Sequence, residues 1–144
     1  MSALTLIALI VTGGCEPLDP HPPAEDLAGN YERLHGVWVF HGSEPVEVEV
    51  ADRLELTVGE GGSLGFLLQV FAVNGRECQL EGVAQSRSGG FVYSEGATGN
   101  TCSLSFEAHD RRVLVTDSQS GCGVAHCGDP GAMDRLSFRL VEEE

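Results

Sequence analysis

The sequence predicts an all-β fold, an antiparallel meander of about eight strands closing into a small barrel or sandwich. Three observations predict it. Polar and apolar residues alternate along "VEVEVADRLELTV", the period of a half-buried strand. Turn signals recur at short intervals from Gly36 onward, and Asn74-Gly75 is the strongest hairpin signal among them. Helical periodicity is lacking throughout. Its one candidate, "AEDLAGNYERLHG", is short and interrupted by Gly29.

The strands follow in order. Gly36–Phe40, "GVWVF", is aromatic and β-branched, as strands are. The next run places Val46, Val48, Val50, Leu54, Leu56 and Val58 on one face and Glu47, Glu49 and Glu55 on the other. "GEGGS" is a turn, and Leu64–Val73 is an almost wholly apolar strand. Asn74-Gly75 leads into Glu77–Ala84. The turn Ser86–Gly90, the strand Phe91–Glu95, the loop Gly96–Asn100 and the strand Thr101–Ala108 come next. His109-Asp110-Arg111 turns the chain into Val113–Asp117, and a cysteine loop precedes the last strand, Asp134–Val141. Leu136, Phe138 and Leu140 of that strand face inward by their spacing. Closure into a barrel removes the exposed edges that such strands would leave.

The core is lean, with six Phe, two Tyr and one Trp against nineteen Gly. A small interior filled by Trp38, Phe66, Phe71, Phe91, Phe106 and Phe138 is therefore expected, and disulfides of about 2–4 kcal/mol each would matter to it.

The chain divides into three parts. Ala3–Val11 is a nine-residue apolar run followed by Thr12, Gly13, Gly14 and Cys15. It is too short to span a bilayer, which needs about twenty residues, and has the length of a signal-peptide core before small residues. A plain secretory signal would share that run. Residues 15–30 carry four of the six prolines and several acids, the composition of an extended tether. Residues 31–144 form one β-domain, and a monomer is expected.

An extracytoplasmic address decides how the cysteines read. Setting Cys15 aside leaves Cys78, Cys102, Cys122 and Cys127, an even set that forms two disulfides in an oxidising compartment. The meander gathers all four at one rim. Cys78–Cys102 with Cys122–Cys127 is the favoured pairing, provided the rim splays. If the strand Phe91–Glu95 lay strictly between, Cys78 and Cys102 would be about 9–10 Å apart, beyond disulfide reach, and the pairing would be crossed. The competing use of "GCGVAHCGDPG" is a zinc knuckle from Cys122, His126 and Cys127. No thiol remains for nucleophilic catalysis, and neither a metal nor a cofactor is expected.

All eight basic residues are arginine, and with 22 acids the net charge is −14. Such a chain is repelled by nucleic acid and by anionic surfaces and suits a cationic partner. Chemistry is not indicated. His21, His35, His41, His109 and His126 sit in no catalytic pattern, G-x-S-x-G does not occur, and "DRLELTVGEGG" lacks the spacing of a calcium loop. An enzyme is not expected.

Two resemblances sharpen this reading. Gly13-Gly14-Cys15 resembles the lipobox of bacterial lipoproteins, which implies that Cys15 is acylated and becomes the mature N-terminus. Glu16, where an aspartate would retain some lipoproteins at the inner membrane, points by that resemblance to the outer membrane. "NGRECQLEGVA", "CSLSF" and "GCGVAHCGDPGAM", spanning Asn74 to Phe138, resemble small secreted or lipid-anchored bacterial β-proteins. More loosely, a lipobox with a stapled eight-stranded barrel is similar to membrane-bound inhibitors of C-type lysozyme. Those insert a loop with a serine and a lysine, and this chain has no lysine to carry over.

The expected function is accordingly a lipid-anchored cell-envelope binding or inhibitor module. It would present the glycine-rich rim Gly121–Met133, with Gly121, Gly123, His126 and Asp129, to a cationic extracytoplasmic protein. A carrier of a small apolar ligand inside the barrel and a purely structural envelope lipoprotein are the alternatives.

Overall fold

The computed structural model describes residues 21–87, 89–96 and 101–142. The expected signal segment, Cys15 and residues 16–20 of the expected tether lie outside the described residues. A short helix, α1 (Ala24–Leu27), leads into β1 (Gly29–His41), β2 (Glu44–Val58), β3 (Leu64–Phe71) and β4 (Glu77–Arg87). They are followed by β5 (Gly90–Glu95), β6 (Cys102–His109), β7 (Arg112–Asp117) and β8 (Leu136–Leu140). Each strand pairs antiparallel with the next, and β8 returns to β1, so the sheet is a closed barrel in chain order.

Alternation builds the interior. In β3, Leu64, Phe66, Leu68 and Val70 are buried and their neighbours are not, and β6 does the same with Cys102, Leu104 and Phe106. Phe66, Phe91, Phe106 and Phe138 fill the middle together with leucines and Met133. Phe66 and Phe106 have ring centroids 4.9 Å apart, and Tyr93 meets Phe66 edge-on at 5.0 Å. Burying each such side chain stabilises by about 1.5–3 kcal/mol.

Two expected core aromatics are not there. Trp38 is 49% exposed, and Phe71 stands half-buried on the outer face of β3. The inward side of β1 is the one that carries Tyr31 and Val37, and Trp38 lies at the opposite parity. Val46 and Val48 share the inward parity of β2 yet are exposed, because they lie on the ribbon beyond the last β2–β3 pair, and Val58, at the other end of β2, is also exposed.

The N-terminal end of the barrel is covered by α1. Ala24 and Leu27 are buried at i, i+3, and the Tyr31 hydroxyl donates to the Leu27 carbonyl at 2.9 Å. His21 lies edge-on to Phe91 at 4.9 Å, with Nε2 2.8 Å from Ser86 Oγ. The folded domain thus takes in Ala24–Leu27, a stretch expected as tether, because this single turn has two apolar residues to bury.

At the opposite end β1 and β2 overrun the barrel. They have 13 and 15 residues, whereas β7 has 6. At about 3.3 Å per residue β1 extends ~40 Å and β7 only ~20 Å. Pairing of β1 with β8 covers only Tyr31↔Leu140 and Glu32↔Arg139, and pairing of β2 with β3 ends at Arg53↔Gln69. Beyond these points the two long strands continue as a two-stranded ribbon, paired to its tip at His41↔Glu44.

Candidate functional site

All four cysteines meet at the ribbon end of the barrel. Cys78 bonds Cys127, and Cys102 bonds Cys122, with Cα separations of 5.4 and 4.5 Å. The favoured pairing Cys78–Cys102 and Cys122–Cys127 is therefore corrected to the crossed one. β4 and β5 pair only over Gln85–Arg87, so Cys78, paired with Val70 of β3 on one side, has no strand on its β5 side at the rim. The helical turn Gly123–Cys127 occupies that gap and brings Cys127 to it.

The loop is held from below by Asp117. Its buried carboxylate accepts the backbone N–H of Cys122 at 2.9 Å and of Gly123 at 2.7 Å, satisfying two donors at the start of the turn. The four expected rim residues then separate. Gly123 is buried among backbone atoms, and Gly121 is packed close to the backbone of Thr101 and Cys102. Asp129 bonds within its own loop, accepting the Gly131 N–H at 3.0 Å. Only His126 offers a side chain that engages a neighbour outside the loop. Its Nε2 lies 2.9 Å from both oxygens of Glu95, to which the Tyr93 hydroxyl also donates.

Hydrogen bonds from the Tyr93 hydroxyl, then from His126, favour the carboxylate form of Glu95 and hold its pKa below the usual value. Burial, then the bond to Glu95, pushes the Tyr93 phenol up to about 12. Glu95, Cys102 and His126 present one atom each within 4.8 Å of one another. The Cys102 sulfur is committed to Cys122, however, and a disulfide sulfur is no thiolate ligand. Cys122 and Cys127 of the alternative zinc knuckle are committed likewise.

The second constellation lies at the base of the ribbon. Asp52 is 1% exposed, and its carboxylate accepts from Arg33 Nη1 at 2.6 Å, His35 Nε2 at 2.8 Å and the Phe71 N–H at 2.8 Å. A buried charge needs such partners. Above it Val37 is buried, and Val39 lies over Gly75 in the β3–β4 turn. The Trp38 N–H donates to the Val73 carbonyl at 2.9 Å, tying the ribbon to that turn.

The outer face of the ribbon is open. Leu34, Trp38 and Phe40 form a row along β1, with Phe40 76% exposed, and Glu47 and Glu49 face the same way from β2. No cation lies within salt-bridge distance of Glu44, Glu47 or Glu49 among the described residues. The sequence reading missed this surface by sending Trp38 inward. It also passed over Asp52, although an acid at the inward parity of β2 is a visible signal of a buried charge.

Compared with protein-family models, curated proteins and solved structures, the chain matches none.

Proposed function

We propose that this chain is a lipid-anchored cell-envelope protein acting as a non-catalytic binding or inhibitor module for a cationic extracytoplasmic protein. One observation carries the reading. The interior is packed with the barrel's own side chains, while large exposed apolar groups, and carboxylates with no salt-bridge partner among the described residues, concentrate at the ribbon end. A packed barrel leaves recognition to its surface, which favours a binding module over a carrier of an internal apolar ligand.

The position of His21 supports an orientation for such an anchor. His21 packs against Phe91 near the N-terminal end, six residues after Cys15. A lipid on Cys15 would therefore hold that end towards an outer membrane and turn the ribbon and stapled loop away from it. The lipobox resemblance supports the anchor, and the net charge of −14 supports a cationic partner.

The test has two arms. Cys15→Ser should release the protein from the membrane fraction, and an unchanged distribution would remove the anchor from the account. The soluble domain from residue 21 should capture a basic protein from envelope extract, with capture falling as salt rises. A co-purifying apolar small molecule without any protein would favour the carrier instead.

A further inference from the structure

We infer that the free edge of β2, Pro45 to Ala51, accepts an extended basic segment of a partner protein as a third strand of the ribbon. This deepens the binding reading and rests on it, but not on the lipid anchor.

The hydrogen-bond parity of the ribbon identifies the edge. The Trp38 N–H points outward to Val73 rather than across to its opposite residue, Glu47. Trp38↔Glu47 is therefore a non-hydrogen-bonded pair, and by alternation so are Gly36↔Glu49 and Leu34↔Ala51. The N–H and C=O groups of Glu47, Glu49 and Ala51 consequently face away from β1. Pro45 belongs to the same set, where its missing donor costs the ribbon nothing.

Nothing among the described residues takes this edge. β3 leaves β2 after Arg53↔Gln69, and the Asp52 carboxylate accepts the Phe71 N–H that the next rung of the ladder would have used. Where the strands part, a groove of about 270 Å³ opens between Val50, Ala51 and Arg53 on one side and Gln69, Phe71 and Glu77 on the other. An incoming strand can start in this groove, over Phe71, and run along β2 towards the tip.

Charge selects the occupant. Residues 44–49 are all exposed, and Glu44, Glu47 and Glu49 have no cation near them among the described residues. A second copy of this chain would set the same carboxylates against them at a net charge of −14 each, which like-charge repulsion opposes. A segment with Arg or Lys at alternate positions pairs its backbone with the edge and its cations with Glu47 and Glu49.

The experiment selects binders to the soluble domain from a random peptide display library and measures the recovered peptides against three variants. Glu49→Pro removes one outward N–H, as Pro45 already does, and should weaken binding about tenfold or more. Glu49→Gln keeps the N–H and loses one exposed charge, so about two- to fivefold is expected. The double reversal Glu47→Arg, Glu49→Arg keeps every backbone donor and should abolish binding, which covers the case in which Glu49→Pro unfolds. Peptides with basic residues at alternate positions and this order of effects support the inference. Failure to enrich any peptide, acidic peptides, or peptides indifferent to all three variants would overturn it. An envelope protein captured equally by the wild type and the double reversal would overturn the edge alone and leave the binding reading standing. Capture of nothing would count against both.

Discussion

The Asp52 carboxylate accepts the Phe71 backbone N–H at 2.8 Å, at the point where β2 parts from β3 and the ribbon begins. One buried side chain thus ends a sheet ladder and, through Arg33 and His35, braces both strands of the ribbon at its base. Asp52→Ala strands these donors and should cost about 3–5 kcal/mol in urea unfolding. Asp52→Asn, which still offers an acceptor, should cost about 1–3 kcal/mol. A loss under about 0.5 kcal/mol for the alanine variant, the range of an ordinary surface substitution, would contradict this role.

The crossed disulfides give a second expectation. An unreduced digest should yield peptides joined as Cys78–Cys127 and Cys102–Cys122. The bonds span sequence separations of 49 and 20 residues, so replacing either pair by serine should cost about 3–4 kcal/mol by loop entropy, with Cys78–Cys127 the larger. Recovery of a Cys122–Cys127 peptide from native protein would refute the arrangement of the stapled loop.

The Tyr93–Glu95–His126 contact sets two pH trends. The Glu95 pKa is lowered by folding, so its contribution is present at neutral pH and fades as pH falls through the acid range. The Tyr93 phenol is raised to about 12, so its contribution is present below the ordinary tyrosine value of about 10 and is lost as pH rises from there through the folded value. Phenolate absorbance should show Tyr93 titrating near 12. Glu95→Gln should bring that titration down, and an unchanged curve would mean that the bond is not made.

Gly75 and Gly42 make a controlled pair. Both adopt positive φ, +80° and +70°, but a Cβ on Gly75 would lie 2.8 Å from Val39 Cγ1, whereas Gly42 has nothing within 4 Å. Gly42→Ala should cost the conformational penalty alone, about 1–2 kcal/mol. Gly75→Ala should cost more and shift the emission of Trp38, the only tryptophan, as the ribbon lifts from the β3–β4 turn. Equal losses at the two sites would show that the ribbon does not rest on that turn.

The strand order was legible because period-two alternation and turn residues are local signals. Leu64–Val73 became β3, Asn74-Gly75 became a turn, and the four cysteines gathered at one end, as chain order alone requires. What depends on closure was not legible. In "GVWVF" either the valines or the aromatics could face the core, and size suggests Trp38. The parity is set across the hairpin, where Val37 meets Val48 and Val39 meets Val46. That β1 and β2 overrun the barrel follows only from where β8 and β3 stop pairing with them. The crossed disulfides depend on the short β4–β5 ladder, a non-local property. Of the expected rim, His126 offers its side chain outward, whereas Gly121 and Gly123 serve packing.

The most direct test of recognition at the ribbon end is site-specific photo-crosslinking in intact cells. A photoreactive phenylalanine analogue at Phe40, on the ribbon, is compared with one at Val83, on the barrel wall, both positions being well exposed. A discrete protein adduct from position 40, lost on reversing Glu47 and Glu49 and absent from position 83, is the predicted result. Adducts of equal yield from both positions, or a lipid adduct alone, would contradict it.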